Sequence, residues 1–388
     1  MVTRVMIMAG GTGGHVFPAL AVAEKLRAEG VDVVWMGTRE GLEAEVVRRA
    51  GIPMTFVKIN GLRGKGVISW LFAPFRLCYA LFQSLVIIMR IRPMAVLGMG
   101  GFVSGPGGLM TWLLHKPLLV HEQNAIAGMT NRILAPLAKV ALEGFPGALP
   151  VKSHPVTTGN PVRDEIIRVV SPQRRYENRS GKLRLLVVGG SLGAQALNEC
   201  VPQAMKMMPK GYQLEIWHQA GKRNIDATKQ AYKKAGIEAR VEPFIDNIAH
   251  AYEWADLVLC RAGALTIAEL SVAGIPAILV PYPFAVDDHQ TVNANYLADA
   301  GAAILIQQHE LTPERLCQVL SEISGLKESA SMQNQLKDGL KADMSEVNGY
   351  MENHGRNKLL AMAKAALKLA KPDAAERVAS LCIRTAHA

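Results

Sequence analysis

The sequence predicts an α/β protein of two doubly wound parallel sheets, and three observations carry that prediction. Apolar runs of strand type are repeatedly followed by a glycine-rich turn and a helical pattern, the signature of βαβ units. The pattern restarts midway: Leu183–Val188 enters Gly189-Gly-Ser-Leu-Gly-Ala194 and a helix, just as Arg4–Ala9 enters Gly10-Gly-Thr-Gly-Gly-His15 and, after Pro18, the helical Ala19–Glu29. The chain's 388 residues are also enough for two domains, each with its own core.

Composition narrows the function classes. A hydrophobic fraction of 49% with 20% charged residues fits a globular protein and excludes a disordered or fibrous one. The formal charge of +10 is unevenly placed, with +9 on residues 1–163 and +1 on the rest. The first half therefore expects an anionic partner: phosphates, nucleic acid or acidic lipid. Cys78, Cys200, Cys260, Cys317 and Cys382 are scattered without CxxC spacing. That argues against a disulfide framework or zinc site and for a reducing cytoplasm. The apolar N-terminus is interrupted by glycines and followed by a charged amphipathic pattern, so it reads as strand, loop and helix rather than a signal sequence.

Taken in order, the first glycine turn lets backbone amides approach an anion at a helix start. Its spacing is not GxGxxG, and the strand Asp32–Met36 ends in Gly37-Thr-Arg39 rather than one acidic residue, which disfavours a dinucleotide. His15, read as the tip of that turn, is badly placed for packing and well placed to exchange a proton. Ile59–Lys65 is a basic loop. Val67–Ile91 is the most apolar segment, but Pro74 and Arg76 interrupt it, and a bilayer span needs about 20 mostly apolar residues. A buried helix or an interfacial helix remains, the latter favoured by Arg63, Lys65, Arg76, Arg90 and Arg92 beside Trp70, Phe72, Phe75, Tyr79 and Phe82. Ala95–Leu97 then enters a second glycine loop, Gly98–Gly108, and Pro117–Val120 ends in His121-Glu-Gln-Asn124. These turns share the carboxyl edge of a parallel sheet, where ligands bind. His121 and Glu122 read either as reactive groups or as a pair bracing the loop. Gly159–Arg163 reads as an interdomain linker.

In the second half, Ser191 suits a phosphate contact or an N-cap. Leu214–Trp217 begins a strand before His218-Gln-Ala-Gly221, and Val241–Ile245 leads into Asp246-Asn247, whose backbone suits recognition of a flat base. The stretch that organises the whole is Ala255–Cys260, then Arg261-Ala-Gly, then a helix from Ala264 to the turn Gly274-Ile-Pro276, then Ala277–Val280. Its helix N-terminus suits a diphosphate, and Glu269, about one turn on, suits the two hydroxyls of a ribose. The alternative is an ordinary βαβ connection with Glu269 solvated. Asp287, Asp288 and His289 make a poor metal site, since adjacent residues rarely face one ion. From Leu311 the chain reads as helical, with polar 342–357, containing Gly349 and Gly355, read as a loop.

Taken together, GGTGGHVFPALAVA (10–23), NGLRGKG (60–66), LGMGGFVSGPGG (97–108), HEQNAIAGMTN (121–131), GNPVR (159–163), VVGGSLGAQALN (187–198), FIDNI (244–248), CRAGALTIAEL (260–270) and PYPFAVDDHQTVNA (281–294) resemble the MurG family. These are the UDP-N-acetylglucosamine:lipid I transferases of peptidoglycan synthesis. The resemblance implies the GT-B architecture, two Rossmann-like domains facing one cleft: 1–162 for acceptor and membrane, 163–360 for UDP-GlcNAc, and a C-terminal helix in 361–388 packing back on the first domain. It implies inverting transfer of N-acetylglucosamine to the muramyl 4-hydroxyl of undecaprenyl-linked lipid I, giving lipid II. By matched position, donor contacts fall on Thr12, Gly13, Gly14, Asn124, Arg163, Ser191, Ile245, Ala264, Leu265, Thr266, Ile267, Ala268, Glu269 and Gln290. His15 is the expected general base, with Glu122 or His121 as alternatives. No cofactor and no essential metal are expected. The partners implied are UDP-GlcNAc, lipid I, the anionic cytoplasmic face of the inner membrane and other cell-wall synthesis proteins, with no nucleic acid. Leu192 and Ala262 stand where relatives can be polar, and 327–357 looks long for the family. A 2-epimerase of UDP-GlcNAc, or a peripheral UDP-sugar-binding scaffold, are the rival readings.

Overall fold

The computed structural model describes residues 2–59, 72–177, 179–190, 192–208, 214–324 and 344–388. The basic loop at 60–65, Trp70 and Ser191 therefore lie outside the described residues.

The chain divides into two compact units, Met1–Asp164 with Lys371–Ala388, and Glu165–Ala370. Unit 1 holds a sheet of β1 (Arg4–Met8), β2 (Asp32–Gly37), β3 (Met54–Phe56), β4 (Ala95–Gly98), β5 (Leu118–Glu122), β6 (Val140–Glu143) and β7 (Val156–Thr157). Its order is β3-β2-β1-β4-β5-β6-β7, with every pairing parallel. Unit 2 holds β8 (Arg184–Val188), β9 (Glu215–Gln219), β10 (Arg240–Glu242), β11 (Leu257–Cys260), β12 (Ala277–Leu279) and β13 (Ala303–Leu305). These run in the order β10-β9-β8-β11-β12-β13, again all parallel. The two sheets repeat one winding. The order reverses between β1 and β4 in one and between β8 and β11 in the other, and at such a switch point adjacent turns leave a crevice for a ligand.

The central strands are buried on both faces. Val5, Met6, Ile7, Met8, Leu97 and Leu119 are fully enclosed in unit 1, as are Leu185, Val187, Leu259 and Ile278 in unit 2. That explains why they read as continuous apolar runs rather than alternating ones.

Four expectations change. Residues 159–163 are no loose linker: Thr158 and Asn160 are buried, and the Asn160 side chain donates to the Gln123 carbonyl at 2.9 Å, so the segment is built into unit 1. The boundary falls after Asp164, whose carboxylate pairs with Lys25 at 2.8 Å, rather than after 162. The second boundary is at Lys371 rather than 361, because the helix Met344–Lys368 runs unbroken and its Leu359, Met362 and Ala363 join the core of unit 2. Only the last helix, Ala374–His387, belongs to unit 1, where Val378, Ala379 and Cys382 are buried in the core beneath helix Gly13–Ala28. The long helix also replaces the loop expected over 344–357. Gly355 is tolerated there for a packing reason: a Cβ would come within 3.2 Å of the Ile323 carbonyl.

Helix Ala73–Ile91 is 19 residues long and apolar enough, by length and composition, to cross a bilayer. It is tied down along one stripe, Ala80, Ser84 and Ile88, spaced four apart and buried. Ala80 and Ile88 pack in the core of unit 1. The rest of its surface stays open, with Phe75 73% and Phe82 62% exposed and Phe72, Leu77, Tyr79, Val86 and Met89 also exposed.

Candidate functional site

In unit 1 the site grows from the two turns at the switch point. After β1 the chain passes Gly10 and Gly11 (φ +93°) to Thr12, which caps helix Gly13–Ala28 in an extended conformation without a side-chain cap bond. Gly13 and Gly14 open that helix. His15 is its third residue rather than the tip of a loop, its N–H donating to the Thr12 carbonyl at 3.1 Å. The turn after β4 presses against it. At Gly100 (φ +97°) a Cβ would lie 2.9 Å from the His15 ring, and at Gly101 (φ +82°) 2.3 Å from the Gly10 carbonyl, so no larger residue fits the crossing.

The residues at the end of β5 complete the arrangement. His15 Nδ1 is 2.7 Å from Gln123 Oε1. Gln123 Nε2 is 3.1 Å from His121 Nδ1 and donates to the His121 carbonyl at 3.0 Å. His121 Nε2 is 3.1 Å from the Gly159 carbonyl. His121 is fully buried, and desolvation lowers its pKa to about 4, opposed by the Gly159 hydrogen bond and the Glu143 charge. Glu122 is 1% exposed and accepts from the Asn124 N–H and side chain, the Gly128 N–H and the Asn131 side chain. Both residues thus act as braces of the loop, and of the alternatives for a base His15 alone stays half-buried. Arg163 sits with its guanidinium carbon 5.5 Å from the Phe17 ring centroid, on the same helix as His15.

Two supporting residues carried no weight in the sequence. Gln123 sits inside a motif whose His and Glu are the more evident reactive groups. Glu43, fully buried, accepts from the Gly11 N–H at 3.1 Å and from the Thr38 N–H and hydroxyl at 2.8 and 2.7 Å, tying the first glycine turn to the end of β2. Its only visible signal was a position in an amphipathic helix.

Unit 2 repeats the plan. The turn after β8 carries Gly190 (φ +83°) and Gly193 (φ +76°), and a Cβ at Gly193 would lie 2.0 Å from the Ala220 carbonyl of the next turn. Gln219, 3% exposed at the end of β9, donates to the Gly190 carbonyl at 2.8 Å and accepts from the Ile245 N–H at 2.9 Å. Behind it His218 is buried between the Tyr232 hydroxyl at 2.8 Å and Asn198 Oδ1 at 3.0 Å, its pKa lowered by desolvation to about 3. Asn198 in turn donates to the Ala220 carbonyl.

Helix Ala264–Ala273 starts at Gly263 with no side-chain cap bond. Its first turn, Ala264, Leu265 and Thr266, presents backbone N–H groups and the positive end of the helix dipole, a setting for an anion. Ile267 is wholly within the core, so only its backbone can reach a ligand, and Ala268 is half-buried. Glu269 is 6% exposed, not solvated, with its Oε2 accepting from the Tyr252 hydroxyl at 3.1 Å. Arg261 spends its guanidinium on the Val280 and Pro281 carbonyls and on Gln308, bracing the loop after β12. Gln290 Oε1 accepts from the Tyr282 N–H in that loop, and Asn293 donates to the Ala262 carbonyl, fastening helix His289–Ala298 to the turn. Among the described residues no three His, Cys, Asp or Glu side chains gather in a way that suits a metal ion.

A groove of about 400 Å³ opens in unit 1, lined among others by Trp112, Leu113, His115, Lys116 and Lys139. It lies at the amino-terminal ends of β5 and β6, the edge opposite the glycine turns, and so is apart from the sites above.

Residues 5–142 match the glycosyltransferase family 28 N-terminal domain and residues 184–347 its C-terminal domain. Over 386 residues the chain is 52% identical to the UDP-N-acetylglucosamine–N-acetylmuramyl-(pentapeptide) pyrophosphoryl-undecaprenol N-acetylglucosamine transferase of Nitrosococcus oceani, covering 100% of this chain and 99% of that one. The transferase of the same name from Alkalilimnicola ehrlichii is 50% identical over 387 residues, with 100% of both chains covered. Among solved structures, Acinetobacter baumannii MurG superposes with a TM-score of 0.77 at 40% identity, covering 98% of this chain and 99% of that one. The calicheamicin glycosyltransferase CalG4, at 15% identity and a TM-score of 0.60, shares the fold.

Proposed function

The chain belongs to glycosyltransferase family 28, and on that footing we propose that it transfers N-acetylglucosamine from UDP-GlcNAc to the muramyl 4-hydroxyl of lipid I, forming lipid II. The observation that carries this reading is identity near one half, over the full length of both chains, to transferases named for that reaction.

The chemistry follows from what each residue can offer. The acceptor hydroxyl oxygen attacks the anomeric carbon while the bond from that carbon to the UDP oxygen breaks, a single displacement that inverts the centre. His15 takes the hydroxyl proton as general base, a role typically worth 10²–10⁴-fold. The charge growing on the UDP phosphates is met by the N–H groups opening helix Ala264–Ala273, by Ser191 and by Arg163; this reading calls for no metal, and turnover should persist in EDTA. Glu269 holds the ribose. The Ile245 N–H is already taken by Gln219, so recognition of the base there falls to the Ile245 carbonyl. The glycine turns of unit 1, in the half that carries the excess positive charge, receive the acceptor diphosphate.

Access to a lipid-borne acceptor is served by helix Ala73–Ile91 with its exposed aromatic side chains; it packs against helix Ser104–Leu113, which exposes Trp112 and Leu113. Arg76 and Arg90 supply positive charge on the same helix, the combination expected of a peripheral contact with an anionic membrane surface.

Radiolabelled UDP-GlcNAc incubated with and without lipid I tests the reading. Label passing into a lipid product only when lipid I is present supports it. Epimerisation at C2 without acceptor, or binding without turnover, refutes it.

A further inference from the structure

We propose that Gln123 is the positioning residue of His15: its amide oxygen holds a proton on Nδ1, which leaves Nε2 as the bare, basic nitrogen that takes the acceptor's proton. The inference rests on the reading of His15 as the base and adds how that base is prepared.

The hydrogen positions follow inward from the backbone, each forcing the next. The Gly159 carbonyl can only accept, so His121 Nε2, 3.1 Å away, carries a hydrogen. A neutral imidazole has one N–H, so His121 Nδ1 is bare and needs a donor. Burial keeps His121 neutral. The Gln123 group 3.1 Å from that Nδ1 must then be the NH2. The His121 carbonyl fixes the same orientation independently. It sits 3.0 Å from the Gln123 NH2 and also receives the Asn131 side chain at 3.1 Å, and a flipped amide would set two carbonyl oxygens against each other. With the NH2 spent there, Gln123 presents its oxygen to His15 at 2.7 Å, and only Nδ1–H can satisfy it.

The arrangement is the neutral counterpart of a carboxylate behind a catalytic imidazole. It sets the tautomer without a negative charge that would hold His15 protonated and unable to act as base near neutral pH. The titratable groups around it are consistent with this. His121 is neutral. Glu122 is bonded by the N–H groups of Asn124, Gly128 and Asn131, Glu43 by those of Gly11 and Thr38, and Arg163 is over Phe17.

Two measurements on the full-length protein test this. In ¹⁵N-histidine-labelled protein, the His15 resonances should show Nδ1 protonated and Nε2 bare, and Gln123→Met should shift the population toward Nε2–H. A wild-type Nε2–H tautomer, or no change in Gln123→Met, overturns the proposal whatever the kinetics. In turnover assays Gln123→Met should lower kcat by up to about 10²-fold with KM for UDP-GlcNAc little changed. Gln123→Glu keeps the acceptor for His15 but sets its second oxygen against the His121 carbonyl and bare Nδ1, so kcat should fall, and the acidic limb of the pH profile should move to higher pH because a carboxylate at Nδ1–H favours the imidazolium. Wild-type kcat and pH profile in both variants overturns the positioning role. If His15→Ala keeps its rate within a few-fold, the base assignment falls, and the NMR result alone then says whether Gln123 sets the tautomer.

Discussion

Gln219 offers a direct test of how the donor half is assembled. One side chain, 3% exposed, ties the glycine turn after β8 to the start of the segment after β10, donating to Gly190 and accepting from the Ile245 N–H. Gln219→Met keeps the length and removes both bonds. Each is worth about 1 kcal/mol net, and the Ile245 amide, in a residue 4% exposed, would be left without its acceptor at a further cost of about 1–3 kcal/mol. If the turns hold their places, unit 2 loses about 3–5 kcal/mol. If they relax to let water in, stability recovers and UDP binding weakens instead, by about tenfold for each 1.4 kcal/mol diverted. Denaturant unfolding and calorimetric titration with UDP therefore belong together, since the loss must appear in one or be split between them. Gln219→Glu sharpens the test, because it keeps the acceptor for Ile245 but sets a carboxylate oxygen against the Gly190 carbonyl. A methionine variant that unfolds at the wild-type denaturant midpoint and binds UDP within twofold would refute the reasoning.

Three further outcomes are expected. Gly193→Ala places a Cβ 2.0 Å from the Ala220 carbonyl at φ +76°, and should cost at least about 3 kcal/mol or prevent soluble expression, while Gly236→Ala, also at positive φ but with no atom within 4 Å of the added Cβ, costs less, as urea unfolding will show. His121 and His218 are held neutral, at about 4 and about 3 against an ordinary 6.5, so between those values the unfolded chain binds protons that the folded chain refuses. Stability is therefore full above pH 6.5 and falls as pH drops, by about 2 kcal/mol for each histidine at pH 5, and a urea midpoint that stays level from pH 7.5 to 5 would contradict this. Phe75→Ser with Phe82→Ser should weaken binding to anionic phospholipid vesicles more than about tenfold in a sedimentation assay, while transfer to a water-soluble acceptor is unchanged.

What the sequence displayed and what it concealed divide along a physical line. Turns are written locally, because a glycine at positive φ or at a backbone crossing has no substitute, and so Gly10–Gly14, the loop after β4, the turn after β8 and the start of helix Ala264–Ala273 were all visible as motifs. The strands β1, β4, β8 and β11 that feed them were visible for a related reason, being buried on both faces. Short β3, β7 and β13 carry only two or three residues each, too few to show a period. The helix from Met344 read as a loop because its glycine answers to the Ile323 carbonyl of another helix, a contact no local pattern contains. The roles of Glu122 and His121 were hidden in the same way. Whether a carboxylate reacts or braces depends on how many N–H groups reach it, and those of Asn124, Gly128 and Asn131 arrive only once the loop folds back on itself. The polar side chains that decide the chemistry are thus legible as candidates and illegible as roles. A glutamine between two histidines separated by over a hundred residues acquires its function only when Gly159, in a segment that looked like a linker, supplies the acceptor that starts the chain of assignments.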